Sequence, residues 1–225
     1  MRSISALLER LSQALRSGAS ERVSAPGPRT PRAPSPRPPR RTRRPRPVLL
    51  EQLAMDLGPE RPRWTFSRLA ARSAHHARIV EHLEFVRRFF PELGGITIHV
   101  GLAQKRGVLG WGSLDPERPG VWVRPRRLYL FTIAHEYTHL LQARDLVPRG
   151  ERSCDLFALA RTPLVIDHPP SYLKLPRSLR RARPTPEQAQ LLCYTALRAL
   201  AAREAGDRRY LLRFEHEIAE AAGRD

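Results

Sequence analysis

Apolar residues recur with a helical or a strand period along most of residues 48–225. Residues 65–90 show an amphipathic pattern that ends before Pro91, which predicts one long helix. Ile96–Val100 alternates strictly between apolar and polar side chains, which predicts a strand. Residues 126–144 are apolar on nearly every side, and this pattern is typical of a buried helix.

Shorter patterns complete a mixture of helices and strands. Strand signals occur at residues 108–113 and 120–124, and a helix is predicted over residues 151–161. Thr185-Pro186-Glu187-Gln188 has the residues of a helix start, and a last helix is predicted over residues 207–222. We expect residues 163–184, rich in Pro and Arg, to form a surface loop. The sequence therefore predicts an α+β domain over residues 48–225, with a small antiparallel or mixed sheet packed against helices.

The first 47 residues have a different composition. Ile4, Leu7, Leu8, Leu11 and Leu15 share one helical stripe. Residues 24–47 are so rich in Pro and Arg that we expect a disordered arm, partly in the polyproline II conformation. The short helix has three interpretations: a frayed helix that docks on the body, a helix that docks on a partner or a membrane surface, or an organelle transit peptide.

Charge is the most unusual feature of the composition. The chain has a net charge of +18, and residues 1–47 hold 12 arginines against two acids. This charge predicts a nucleic-acid or acidic partner bound through the arm. The arm has no aromatic residue to stack on bases, and the excess of Arg over Lys is also explained by a GC-rich genome.

Length, hydropathy and cysteine content exclude several classes of protein. No apolar run is long enough for a membrane-spanning helix. Two cysteines rule out a disulfide scaffold and a multi-cysteine zinc ribbon, and they fit a reducing compartment. The chain is therefore expected to be cytoplasmic, with an unknown oligomeric state.

The motif His135-Glu136-Tyr137-Thr138-His139 carries the chemistry. Histidines at positions i and i+4 project from one helical face, so both imidazoles are able to bind one divalent metal ion. Glu136 lies beside them and is placed to take a proton from a water that the metal activates. This arrangement predicts a zinc-dependent hydrolase in which Glu136 is the general base.

A third metal ligand is expected from residues 151–161. Glu151 and Asp155 lie one turn apart in this predicted helix. One of them would bind the metal, and the other would accept the Nδ1 hydrogen of a ligand histidine. If the preceding helix runs six residues past His139, a tight antiparallel return places Asp155 level with His139. The residues alone leave both assignments open.

HExxH followed by ExxxD resembles the pattern of the gluzincin metallopeptidases. Glu151-Arg152-Ser153-Cys154-Asp155-Leu156-Phe157-Ala158 is similar to a segment of ImmA/IrrE-type minimal gluzincins, and the order of strands before the motif resembles that of SprT-like zincins. The resemblance implies a zincin-like fold, a Zn²⁺ cofactor, a protein or peptide substrate, Glu151 as third ligand and Asp155 as support for a histidine. It also implies an edge strand for an extended peptide, supplied by residues 120–124 or by the segment with Trp111.

Other functions and further site residues stay open. A non-catalytic zincin-like protein, tethered by its basic arm to nucleic acid or an acidic partner, is the main alternative, and a metal-dependent hydrolase of a non-peptide amide is another. A donor to the transition state is expected among the remaining aromatic and histidine side chains. By residue type the candidates are Tyr172, His168, Tyr194 and His216.

Overall fold

The computed structural model describes residues 63–104, 107, 109–180 and 183–223. These residues form an α+β fold with one mixed sheet of four strands and seven helices. The strands are β1 (Arg63–Phe66), β2 (Thr97–Leu102), β3 (Gly110–Gly112) and β4 (Gly120–Val123). The helices are α1 (Arg68–Ala71), α2 (His76–Arg87), α3 (Leu130–Ala143), α4 (Glu151–Leu159), α5 (Arg177–Arg180), α6 (Pro186–Glu204) and α7 (Tyr210–Ala222).

The strands are ordered β1-β2-β4-β3 across the sheet. β1 and β4 both pair with β2 in parallel, whereas β3 pairs with β4 in the antiparallel direction. The sheet is therefore mixed, one of the two arrangements expected. Of the two candidates for the edge strand, the segment with Trp111 lies at an edge of the sheet, and residues 120–124 contribute the strand next to it.

One face of the sheet is buried against α3. The apolar side chains Ile98, Val100, Val121 and Val123 alternate along β2 and β4 and are almost completely inaccessible to solvent. On the same side, the indole of Trp64 stacks on the ring of Tyr137 in α3 with centroids 6.2 Å apart. This alternation fixes which side chains point towards the helix and which stay on the open face.

Helix α3 is the central element of the packing. Every residue from Phe131 to Ala143 is buried, as the apolar pattern predicts. Burial of polar side chains without partners is costly. The histidines and the glutamate of the motif therefore need specific partners inside the protein.

The prediction of one helix over residues 65–90 is wrong. Thr65 and Phe66 belong to β1 and pair with His99 and Val100 of β2. The Ser67 hydroxyl then accepts a hydrogen bond from the Ala70 amide and starts the short helix α1. Hydrogen bonding with a neighbouring strand, which the periodicity of residues 65–90 does not reveal, overrides the helical pattern.

In the carboxyl-terminal half, the observed elements agree more closely with those predicted from the sequence. Thr185 and Gln188 form a reciprocal capping box at the start of α6, which confirms the predicted helix start. The expected loop over residues 163–184 also contains a 3₁₀ turn at Pro163–Val165 and the short helix α5. Among the helices that the structure describes, none is both long and apolar enough to cross a membrane. The helix and arm expected in residues 1–47 lie outside the described residues.

Candidate metal centre

His135 and His139 lie one turn apart on the same face of α3. Their ring centroids are 4.9 Å apart and the rings are nearly perpendicular. The Nε2 atom of His135 is 3.0 Å from Oε2 of Glu151, and the Nε2 atom of His139 is 3.3 Å from the same oxygen. Three atoms that are able to bind a metal therefore converge on one point.

The turn between α3 and α4 decides which acid reaches this point. Helix α3 ends at Ala143, and residues 144–150 reverse the chain before α4 begins at Glu151. Asp145 adopts φ 55° and Gly150 adopts φ 112° in this reversal. Because α3 ends only four residues past His139, Glu151 lies beside both histidines and Asp155 lies beside His135. The condition under which Asp155 would lie level with His139, a helix that runs six residues past it, is therefore not met.

Asp155 fixes the orientation of His135. One carboxylate oxygen of Asp155 is 2.8 Å from Nδ1 of His135, and the other accepts the backbone N–H of Tyr172 at 2.6 Å. Asp155 is 1% exposed, so its acceptor oxygens face these partners rather than water. We therefore assign a hydrogen to Nδ1 of His135, which leaves Nε2 directed at Glu151.

Gln142 fixes the orientation of the His139 ring in the same way, a role that was not predicted from the sequence. Its side-chain nitrogen donates to the carbonyl oxygens of Pro148 and Gly150 at 2.6 and 3.0 Å. This fixes the orientation of the amide, so its Oε1 atom, 2.9 Å from Nδ1 of His139, accepts the hydrogen on that nitrogen. The spacing of three residues between His139 and Gln142 on one helix face is the signal that could have revealed it.

These two assignments leave electron-rich atoms facing one another. With hydrogens on both Nδ1 atoms, the neutral rings of His135 and His139 turn Nε2 lone pairs towards the carboxylate of Glu151. A proton or a metal cation between the three atoms relieves their repulsion. The centre is therefore built to hold positive charge.

The pKa shifts of His135, His139 and Glu151 lead to the same conclusion. Burial alone would lower the pKa of His135, but the hydrogen bonds with Asp155 and Glu151 raise it to about 10. Burial and the neighbouring His135 lower the pKa of His139. The hydrogen bond with His135 lowers the pKa of Glu151. One positive charge is favoured beside the Glu151 carboxylate.

Glu136 points away from this carboxylate and towards the edge strand. It is 4% exposed, and its Oε2 atom has no hydrogen-bond partner in the part of the chain that the structure describes. Burial raises the pKa of Glu136 to about 7, although the charge of His135 and the backbone of Gly112 lower it. A buried carboxylate with a free oxygen and a pKa near neutrality has the properties of a general base.

Two glycines of β3 make room for Glu136. A Cβ atom at Gly110 would lie 2.5 Å from Oε1 of Glu136, and one at Gly112 would lie 2.7 Å from its carbonyl oxygen and 2.8 Å from Cβ of His139. Larger residues at either position would separate β3 from α3. The edge strand therefore runs directly beside the glutamate and the second histidine.

Cys154 offers a second set of metal donors. Ligand atoms of His135, His139 and Cys154 lie within 4.8 Å of one another, and all three residues are buried. The sulfur, however, is 3.2 Å from Nδ1 of His139, the nitrogen that already donates to Gln142. Burial also raises the pKa of the Cys154 thiol far above its ordinary value, which disfavours the thiolate that binds metals. The set with Glu151 fits an ion better.

Tyr172 is the candidate donor that the structure brings to the centre. Its ring stacks on that of His135 with centroids 5.6 Å apart, and burial raises the pKa of its hydroxyl. The ring of His168 packs instead against Tyr129 at 4.3 Å. Tyr194 lies exposed on α6 and His216 lies exposed on α7. Tyr172 is thus the one of the four whose ring contacts a motif histidine.

Comparisons of the chain with models of protein families, with curated proteins and with solved structures found no match.

Proposed function

We propose that the protein is a zinc-dependent metallopeptidase with a zincin-like fold. His135, His139 and Glu151 would hold the ion, Glu136 would act as general base, and Asp155 and Gln142 would orient the two imidazoles. The observation that carries the proposal is the convergence of two Nε2 atoms on one oxygen of Glu151, at 3.0 and 3.3 Å. Two imidazole nitrogens and one carboxylate oxygen form a donor set typical of catalytic zinc.

The chain's own residues suit hydrolysis. When bound, Zn²⁺ supplies Lewis acidity, which polarises a carbonyl group and makes a coordinated water more acidic. Glu136 would take up a proton from water through Oε2, which has no hydrogen-bond partner among the described residues. The hydroxyl of Tyr172, which stays protonated near neutral pH, is available as a donor to a substrate oxygen.

The edge strand favours an extended peptide as the substrate. β3 pairs with β4 on one side, and no other described strand pairs with its outer edge. A peptide that adds to this edge would lie beside Glu136 and His139, since Gly112 lies against both residues. Peptide bonds in unfolded segments are therefore the proposed target.

The test is hydrolysis of an unfolded protein such as reduced casein. The wild type should cleave it, a zinc chelator should stop cleavage, and Glu136→Gln should lower kcat by at least about a hundredfold. Glu204→Gln, an exposed change on α6, is the matched control and should keep wild-type activity. Equal cleavage by Glu136→Gln and the wild type would overturn the proposal. A folded protein that binds zinc without cleaving any peptide would favour a non-catalytic binding protein instead.

A further inference from the structure

A row of aromatic side chains lies on the face of the sheet opposite α3. Trp111 of β3 is the register partner of Trp122 of β4, and the two ring centroids are 4.2 Å apart. His99 of β2 adds a third ring, 5.9 Å from that of Trp122. The three rings therefore form a continuous aromatic surface across three neighbouring strands.

Two glycines let Trp122 lie flat on the strands. A Cβ atom at Gly101 would overlap the five-membered ring of Trp122, and one at Gly120 would come within 2.8 Å of its six-membered ring. Gly101 is the register partner of Trp122, and Gly120 is that of His99. Because neither glycine has a side chain, the indole of Trp122 packs directly on the backbone of the sheet. Its other side is free to contact Trp111.

This face remains open in the described part of the protein. Trp111 is 55% exposed, and Thr65 and Thr97 on the same face are exposed as well. None of the strand residues that share this face is acidic. A large exposed tryptophan that rests on a second one is unusual on a free surface and is typical of a binding site.

The absence of acidic residues from the strand positions of this face favours a negatively charged partner. The chain continues from β4 into Arg126 and Arg127, both exposed, and the whole chain carries a net charge of +18. Aromatic rings take the flat faces of bases, and arginines take phosphates. Duplex bases are stacked on one another, so their faces are not available to such a surface.

We propose that this aromatic row, Trp111, Trp122 and His99, binds the unpaired bases of single-stranded nucleic acid. Trp111 is the stacking platform and Trp122 supports it, while the net positive charge of the chain attracts the phosphates. The site lies on the face of the sheet opposite α3 and does not use the metal centre. The interaction is independent of base sequence, because every base has a π face.

The test uses the full chain and dye-labelled oligothymidylate of about 12 nucleotides, within the range that such surfaces cover. Binding should quench tryptophan fluorescence, and Trp111→Ala should weaken the Kd roughly tenfold or more, while Trp111→Phe restores most of the affinity. Leu212→Ala is the matched control, because Leu212 is 54% exposed on α7. Circular dichroism of each variant verifies folding, and oligouridylate in parallel distinguishes RNA from DNA.

An abasic oligomer of the same length separates stacking from charge. It should bind much more weakly than oligothymidylate, and a duplex of equal length should not show the Trp111 dependence. Equal affinity for the abasic oligomer, or an unchanged Kd in Trp111→Ala, would overturn the proposal and leave only attraction between arginines and phosphates. If Trp111→Ala weakened binding of an unfolded polypeptide but not of oligothymidylate, the surface would bind protein, and the proposal would be wrong.

Discussion

The side-chain oxygen of Gln142 lies 2.9 Å from Nδ1 of His139 and holds that ring with Nε2 towards Glu151. Asp155 does the same for His135 at 2.8 Å. The two imidazoles are therefore positioned by different groups, one neutral and one charged. The amide is itself fixed by two backbone carbonyls in the turn before α4, so this turn and the metal centre depend on each other.

Gln142→Leu should weaken zinc binding by about 10- to 100-fold, because removal of the acceptor frees the His139 ring. Competition with a chromogenic chelator measures the affinity. Gln190→Leu, an exposed change on α6, should leave it unchanged. An unaltered zinc affinity in folded Gln142→Leu would show that the hydrogen bond does not position the ligand.

Glu151→Ala and Cys154→Ala distinguish the two possible donor sets. Glu151→Ala should lower zinc affinity by at least about a hundredfold, since one of three ligands is lost. Cys154→Ala should bind zinc as the wild type does and should cost only about 1 kcal/mol of stability, since a small buried side chain is shortened. The reverse result would assign the metal to His135, His139 and Cys154.

Gly112→Ala should separate β3 from α3, because the new Cβ would press on His139 and on the backbone of Glu136. We expect a loss of about 1–3 kcal/mol in the free energy of unfolding and a larger relative loss of peptidase activity. Urea denaturation measures the first and casein cleavage the second. Gly223→Ala at the end of α7, where φ is −89°, serves as the control and should change neither by much.

Chelation should destabilise the protein. A ligand present at a hundred times its Kd adds about 2.7 kcal/mol of stability, and a domain of this size shifts its Tm by about 2–4 °C per kcal/mol. A thermal melt with and without EDTA should therefore differ by several degrees. His139→Ala should show a much smaller difference, and an equal difference in both proteins would indicate that the chelated ion binds elsewhere.

Some of the fold and the site follows from local sequence. The period of α3 and the spacing of His135 and His139 place both rings on one buried face, and the cap at Thr185 marks the start of α6. Contacts between distant segments do not follow in this way. The pairing of Thr65 with His99 places the first residues of an expected helix in a strand.

The choice between Glu151 and Asp155 shows the same limit. It depends on where α3 ends, and a difference of two residues at Ala143 changes which acid faces which histidine. The orientation of Gln142 depends on carbonyl groups in the following turn, which residue spacing alone does not place.

The metal content of the purified full-length chain tests the central claim most directly. Elemental analysis after dialysis against zinc should find about one ion per chain in the wild type and in Glu136→Gln, because Glu136 is placed as base and not as ligand. The double variant His135→Ala/His139→Ala should retain none of it. A folded wild-type protein that holds no zinc under these conditions, or a double variant that holds as much, would contradict the account.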